Sequence, residues 1–251
     1  MRTLTADAVH RGALILVNSA HPFRTATPDD LVPAGRAAHV LLREEAATQL
    51  RRVLAHIQAE NTILPFEGFR SRLAQAALYQ DSLAINGPDF TARFVAPAGC
   101  SEHESGLAID LALNAPPIDP ICPSFPDEGL CHIFRKIAPR FGFVERYPTG
   151  KESITGIAHE PWHFRYVGTP HARLMTLASQ CLEEYLPWLA QYTEARPLYV
   201  GQNHHPDASL FFVPQQPDGS VTITRALPPR YSISGNNIDG VIVTAWGPLH
   251  D

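Results

Sequence analysis

The sequence is poor in lysine and cysteine and contains no long apolar run. Lys136 and Lys151 are its only lysines and the net charge is −5, so we expect no binding surface for nucleic acid or for an anionic membrane. No run approaches the ~18 apolar residues that a membrane-spanning helix requires. No apolar segment of signal-peptide type follows Arg2, which predicts a cytoplasmic protein, although a chain trimmed of a leader would look the same.

The four cysteines are too sparse for a secreted domain that is held together by disulfides. They are Cys100, Cys122, Cys131 and Cys181, and no C-x-x-C pair occurs among them, which argues against a structural zinc site built on cysteine. We therefore expect free thiols. Cys122 and Cys131 share one proline-rich segment, so a disulfide between these two stays an open alternative.

The pattern of apolar residues predicts a mixture of helices and strands. Apolar residues make up 45% of the chain, which is enough for a sizeable core. Helical spacing and turn residues predict helices at 36–60, 72–85, 129–141 and 171–185, with Ser71 as the cap of the second. β-Forming runs predict strands at 12–19, 63–69, 106–113, 143–146 and 162–167.

The character of the sequence changes after about residue 195. Prolines there separate short runs of β-forming residues at 210–213, 221–224 and 241–245. We therefore predict a main domain at 1–195 and a small all-β accessory segment at 196–251. His204 and His205 are adjacent, and adjacent side chains usually diverge, so we do not expect this pair to bind a metal.

Two short segments carry the chemistry: SEHESGLAID at 101–110 and EPWHFRY at 160–166. Together they supply two imidazoles and two carboxylates. A hydrolytic zinc site needs three protein ligands and one open position, and a general base near the water but off the metal. Three of these groups suit the ligands and the fourth suits the base.

The spacing of these residues can bring the groups together. His103 precedes the predicted strand at 106–113 and Asp110 lies within it, while Gly106 permits a sharp turn between them. His163 lies on another predicted strand and can supply the third ligand. Glu160 precedes Pro161, which disfavours regular strand pairing, so we place Glu160 on the turn that enters this strand. Each residue alone has a commoner structural explanation, and only the combination indicates a zinc hydrolase.

The two motifs, S-x-H-x-x-G-x-A-x-D and E-P-W-H-F-R-Y-V-G, resemble those of the D-alanyl-D-alanine peptidase family of VanY and VanX-VanY fusion type. The resemblance extends from LILVNSAHPF, which starts at residue 14, through EGFR at 67–70, to LEEYL at 182–186. It implies an α+β fold in which an antiparallel sheet with flanking helices surrounds a zinc site. Lysostaphin-like endopeptidases and the hedgehog signalling domain share that fold.

The resemblance also implies roles for individual residues. His103, Asp110 and His163 match the zinc ligands, and Glu160 matches the catalytic base. Further matches are Arg70 with the arginine that stabilises the oxyanion, Gln75 with a substrate contact, and Ser101 with the serine that holds the terminal carboxylate of the substrate. The sequence departs from the family pattern at Glu104 and His159, where a neutral and an aromatic residue are commoner.

The expected activity is that of a zinc-dependent D-alanyl-D-alanine carboxypeptidase, and of a dipeptidase as well if the free dipeptide is a substrate. The expected partner is a peptide or muropeptide that ends in D-Ala, and the oligomeric state stays open. One alternative is an L,D-carboxypeptidase that trims tetrapeptide stems. Another is a non-catalytic, zinc-stabilised binding module, since this fold can lose its peptidase role.

Overall fold

The computed structural model describes residues 1–202 and 205–247. The strands, in chain order, are β1 (Arg2–Leu4), β2 (Leu31–Pro33), β3 (Leu41–Arg43), β4 (Ile63–Glu67), β5 (Ala108–Leu113), β6 (Phe143–Glu145), β7 (His163–Tyr166), β8 (Leu198–Gln202), β9 (His205–Pro214), β10 (Val221–Ile223), β11 (Arg230–Gly235) and β12 (Gly240–Trp246). The helices are α1 (Glu44–His56), α2 (Arg72–Asn86), α3 (Pro88–Phe94), α4 (Gly129–Ile137), α5 (Glu152–Thr155), α6 (His171–Ala178) and α7 (Leu182–Leu189).

An antiparallel sheet brings the two motif segments together. Its strand order is β4-β5-β7-β6, so the strand that follows His103 lies beside the strand that begins at His163. The register places Asp110 directly opposite His163, and Ile109 opposite Phe164. Directly opposed residues of an antiparallel pair have Cβ atoms about 4.5–5.5 Å apart, which puts the two predicted ligands within reach of one metal ion.

Aromatic packing fixes the strand that carries His163. Phe164 points into the core and packs edge to face on two rings. Its ring centroid lies 5.0 Å from that of Phe134 of α4 and 5.4 Å from that of Phe125. Phe125 and Phe134 also contact each other, at 5.9 Å. Such edge-to-face pairs add to the free energy that burial of the rings already provides, and they anchor β7 one residue from the site.

The sequence predicted several elements closely and others wrongly. Ser71 caps α2 as predicted, since its Oγ accepts a hydrogen bond from the backbone N–H of Ala74 at 3.2 Å. The helix predicted at 36–60 is shorter because Leu41–Arg43 form a strand that pairs with Leu31–Pro33. The helix predicted at 171–185 is two helices, since Ser179 between them has a left-handed backbone with φ 51°.

Two strand predictions also need correction. No strand forms at 12–19, because Gly12 has a positive φ of 110° and Leu14 donates its backbone N–H to Ser234 Oγ at 2.8 Å. The strand at 106–113, predicted to be half-buried, is buried on both faces from Ala108 to Ala112. Its polar face turns Asp110 towards neighbouring side chains rather than towards solvent.

The chain forms two compact units: one is Val17–Cys181, and the other combines Met1–Leu16 with Leu182–Asp251. The second unit contains the sheet β11-β12-β9-β8 and the pair β1-β10, and the predicted β runs lie in β9, β10 and β12. These bounds differ from those of the predicted domains, 1–195 and 196–251. The division into a main domain and an accessory segment stays a prediction. His204 lies outside the described residues.

Two further expectations bear on cysteine and on membranes. All four cysteines are free, so the expectation of free thiols is confirmed and Cys122 and Cys131 do not pair. Among the described helices, none combines the length and the apolar character that crossing a membrane requires.

We expect Phe134→Ala to lower the free energy of unfolding by about 3–5 kcal/mol, because the change removes a fully buried ring and leaves a cavity beside Phe164. Denaturant unfolding measures the effect. The adjacent Ile133 is 43% exposed, and Ile133→Ala should change the free energy by no more than about 0.5 kcal/mol. Equal losses for the two variants would contradict this description of the core.

Candidate active site

His103, Asp110 and His163 form one buried cluster. His103 Nε2 lies 3.2 Å from Asp110 Oδ2, and His163 Nδ1 lies 2.9 Å from Asp110 Oδ1. One ligand atom from each residue lies within 4.8 Å of the others, and the two imidazole rings meet edge to face at 5.0 Å. The structure therefore brings together the three residues that the sequence predicted as ligands.

A short turn at Glu102–Ser105 presents His103 to the cluster. The turn ends at Gly106, whose backbone is left-handed with φ 68° and whose missing Cβ would lie 2.9 Å from the side chain of Leu31. Glycine is suited to this position on both counts. The Nδ1–H of His103 donates to the backbone carbonyl of Gly68 at 2.7 Å, which leaves the lone pair of Nε2 directed at the cluster.

The donor set of the cluster fits zinc. Two imidazoles and one carboxylate are ligands that zinc prefers, and three protein ligands leave a fourth position open. Asp110 Oδ1 is buried without a hydrogen-bond partner in the described part of the chain, although an imidazole nitrogen lies 2.9 Å away. A cation between these atoms would satisfy both, and buried polar atoms are rarely left unpaired.

Carboxylates and imidazoles perturb each other's pKa in this cluster. Burial alone would raise the pKa of Asp110, but His103 and His163 beside it lower it well below its ordinary value. Burial would lower the pKa of His163, whereas Asp110 and then Glu102 and Glu160 raise it to about 10. The carboxylate of Asp110 between two imidazoles, with the carboxyl groups of Glu102 and Glu160 facing His163, therefore makes this position attractive to a cation.

Glu160 lies on the turn that enters β7, as predicted. Its backbone N–H donates to the carbonyl of Tyr147 at 3.1 Å, and its Oε2 lies 3.7 Å from His163 Nδ1. Burial raises the pKa of Glu160 to about 8; His163 opposes this rise, Asp110 and Glu102 add to it, and Arg70 opposes it. A carboxyl group with this pKa can exchange protons near neutral pH.

One pocket is lined by all seven residues that the sequence singled out: Arg70, Gln75, Ser101, His103, Asp110, Glu160 and His163. Arg70 is held in place by Gln75, whose Oε1 accepts from the guanidinium at 2.8 Å. The amide of Gln75 in turn donates to the carbonyl of Ala96 at 2.7 Å. Both ends of the Gln75 amide are thus engaged by the protein, which suits orienting Arg70 better than binding substrate.

The two departures from the family pattern point away from the ligand cluster. Glu104 is buried and accepts a hydrogen bond from Arg72 Nε at 2.9 Å. His159 Nε2 lies 3.1 Å from Glu145 Oε1. Glu104 Oε1 also accepts the backbone N–H of Gly99 at 2.5 Å, so this side chain links Arg72 to the backbone at Gly99. His159 pairs with a residue of β6 beside the site.

Sequence reasoning missed a buried ionic group next to His163. It consists of Glu102, Arg146 and Arg165, whose side chains are 0%, 1% and 0% exposed. Burial would raise the pKa of Glu102, but the two guanidinium groups hold it well below its ordinary value. The available signal was an acidic residue directly before His103, a predicted ligand, but nothing in the spacing showed which way its side chain points.

The family of the chain follows from comparison with known proteins. Residues 39–169 match the VanY family, D-alanyl-D-alanine carboxypeptidase. The chain is 42% identical over 181 residues to the bifunctional D-Ala-D-Ala dipeptidase and D-Ala-D-Ala carboxypeptidase VanXYC of Enterococcus gallinarum, an alignment that covers 71% of this chain and 95% of that protein.

Solved structures give the same result. The vancomycin resistance D,D-dipeptidase VanXYg, solved with a D-Ala-D-Ala phosphinate analogue, is 43% identical, with a TM-score of 0.94 over 98% of each chain. A mutant of the D,D-pentapeptidase VanY from a VanB-type resistance cassette, solved with Zn(II), is 28% identical, with a TM-score of 0.60 over 69% of this chain and 98% of that one. The predicted α+β fold is thereby confirmed, and the chain belongs to the VanY family of D-alanyl-D-alanine carboxypeptidases, which are zinc-dependent peptidases.

Proposed function

We propose that this protein is a zinc-dependent D,D-peptidase that removes the terminal D-Ala from peptidoglycan precursors ending in D-Ala-D-Ala and also hydrolyses the free dipeptide. The observation that carries the proposal is a buried carboxyl group, Glu160, beside a three-residue ligand cluster in one pocket with Arg70. The similarity to VanXYC, which has both activities by its name, supports the bifunctional form. A cytoplasmic location, before precursor export, stays a prediction.

His103, Asp110 and His163 are the proposed ligands of the zinc ion. When bound, zinc supplies a Lewis acid for the scissile carbonyl and lowers the pKa of the attacking water. The protein contributes a buried cluster in which Asp110 lies between the two imidazoles. The hydrogen bond from His103 to the carbonyl of Gly68 fixes the tautomer that can bind metal through Nε2.

Glu160 is the proposed general base and acid. It takes a proton from the attacking water and returns this proton to the amine of the departing D-Ala, so that the peptide bond breaks without a charged amide leaving group. Burial raises the pKa of Glu160 above its ordinary value, so the protonated carboxyl group can hold the proton until it passes to the amine. A cation in the neighbouring cluster would lower that pKa, which favours the first transfer.

Arg70 is the proposed stabiliser of the oxyanion. A guanidinium that is fixed before the reaction can complement charge that develops only in the transition state. Gln75 holds it through the 2.8 Å hydrogen bond, so we propose a positioning role for Gln75 in place of the substrate contact first expected. Ser101 lines the same pocket and remains our candidate for binding the terminal carboxylate of the substrate.

Removal of a proposed ligand should greatly weaken zinc binding while the protein stays folded. We expect His103→Ala and Asp110→Ala to weaken zinc binding by more than about 100-fold, beyond the cost of losing an outer-shell partner. Chelator competition measures the affinity, and circular dichroism checks the fold. The matched control is His132→Ala, because His132 is 43% exposed and pairs with Asp127. Wild-type affinity in Asp110→Ala would contradict the ligand assignment.

Glu160→Gln should lower kcat by about 10²–10⁴-fold with zinc still bound, because the variant keeps the shape of the side chain but cannot take the proton. Release of D-amino acid is measured from D-Ala-D-Ala, a pentapeptide stem and a tetrapeptide stem. Wild-type protein should act on the first two, and the exposed Glu128→Gln should match it. Activity on the tetrapeptide alone would make the protein an L,D-carboxypeptidase, and a zinc-loaded protein inactive on all three would be a binding module.

Arg70→Ala should lower kcat by about 10²–10³-fold, the usual cost of losing an oxyanion donor. Arg70→Lys keeps the charge but not the planar fork that bonds Gln75, so its kcat should lie between those of the wild type and Arg70→Ala. Steady-state kinetics on D-Ala-D-Ala measure both. Arg140 is exposed, and Arg140→Ala serves as the control. An unchanged kcat with a raised KM would instead make Arg70 a binding residue.

A further inference from the structure

The carboxylate of Glu102 has no role in the reaction proposed above, yet it lies beside the proposed ligand His163. Glu102 stands between Ser101 and His103, and its side chain is 0% exposed. Its Oε1 accepts from Arg146 Nε at 2.8 Å and from Arg165 at 2.7 Å. Two charge-assisted hydrogen bonds offset the cost of burying Oε1, but neither of them reaches Oε2.

The second oxygen faces the imidazole of His163. Glu102 Oε2 lies 3.5 Å from His163 Nε2. Both atoms are buried, and neither makes a hydrogen bond within the described residues. The opposite ring nitrogen, Nδ1, faces Asp110 at 2.9 Å and Glu160 at 3.7 Å. The ring therefore presents one nitrogen to the ligand cluster and the other to Glu102.

We propose that Glu102 is the positioning residue for His163. It accepts the Nε2–H of the imidazole, which fixes the tautomer whose Nδ1 lone pair is directed at the metal position, and it holds the plane of the ring. A ligating histidine needs such a partner on its other nitrogen, and a carboxylate partner also raises the basicity of the ligand. This inference rests on the proposed function, since it takes His163 as a zinc ligand.

The two arginines tie this carboxylate to the backbone that carries the ligand. Arg165 lies two residues after His163 on β7, so both side chains project from one face of the strand. Arg146 follows β6, and its backbone N–H donates to the carbonyl of His163 at 3.1 Å. The two arginines thus link the Glu102 carboxylate to β7 and to the backbone that is hydrogen-bonded to His163, which holds the carboxylate beside the imidazole.

Glu104 provides a matched control two residues further along. Its side chain is 3% exposed and is paired with an arginine, Arg72, but it faces no ligand. Both Glu102→Gln and Glu104→Gln thus remove a buried, arginine-bound carboxylate of the same turn. In Glu102→Gln the amide oxygen turns to the arginines, so the amide NH₂ group points at His163 and favours the wrong tautomer.

The test is zinc affinity, measured by chelator competition on the wild type and both variants. We expect Glu102→Gln to bind zinc about 10–100-fold more weakly and Glu104→Gln to match the wild type. Wild-type affinity in a folded Glu102→Gln variant would overturn the inference and reduce Glu102 to a counter-ion of the two arginines. A wild-type protein that binds no zinc would overturn the proposed function itself, and this inference with it.

A second measurement decides the matter if Glu102→Gln does not fold. The wild-type protein, with isotope-labelled histidine, is loaded with an NMR-active cadmium isotope in place of zinc. We expect metal–nitrogen couplings to Nε2 of His103 and Nδ1 of His163, with a proton on Nε2 of His163. Coupling to Nε2 of His163 would show that this nitrogen binds the metal and cannot donate to Glu102, and the inference would fail.

Discussion

The pairing of β5 with β7 is the constraint on which the rest of the site depends. Asp110 stands opposite His163 in the register of these strands, and His103 reaches the same point because its turn leads directly into β5. A slip of one residue would move every side chain of a strand to the other face of the sheet, and the cluster would be lost. The packing of Phe164 on Phe125 and Phe134 holds this register from the other face.

Three carboxyl groups share this small buried region, and each is balanced differently. Two guanidinium groups compensate Glu102, so it stays ionised despite its burial, and two imidazoles do the same for Asp110. Glu160 has the weakest compensation, and burial raises its pKa to about 8. One chemical group, the carboxyl, thus carries the three proposed roles of anchor, ligand and proton carrier, and the neighbours of each group decide which role it can take.

Sequence analysis singled out residues that the structure brings together, but it did not predict the contacts that support them. His103, Asp110, Glu160 and His163 could be chosen because their types and spacing suit one metal-assisted reaction. The direction of Glu102, and the engagement of Gln75 by Arg70 and Ala96, depend on contacts between distant segments that no local pattern encodes. Helical spacing at 36–60 likewise did not reveal that residues 41–43 pair with residues 31–33, since a pairing partner outside the segment overrides its local propensity.

The second compact unit is built from both ends of the chain, and this affects the order in which the chain can fold during synthesis. Strand β1, near the amino terminus, pairs with β10, and Val9 belongs to a core that also contains Val241 and Val243. Residues 2–9 are translated more than two hundred residues before these partners, so they stay unpaired until the later strands have been made. The unit Val17–Cys181 has all its own contacts available sooner, so the peptidase site can form while the two ends of the chain are still apart.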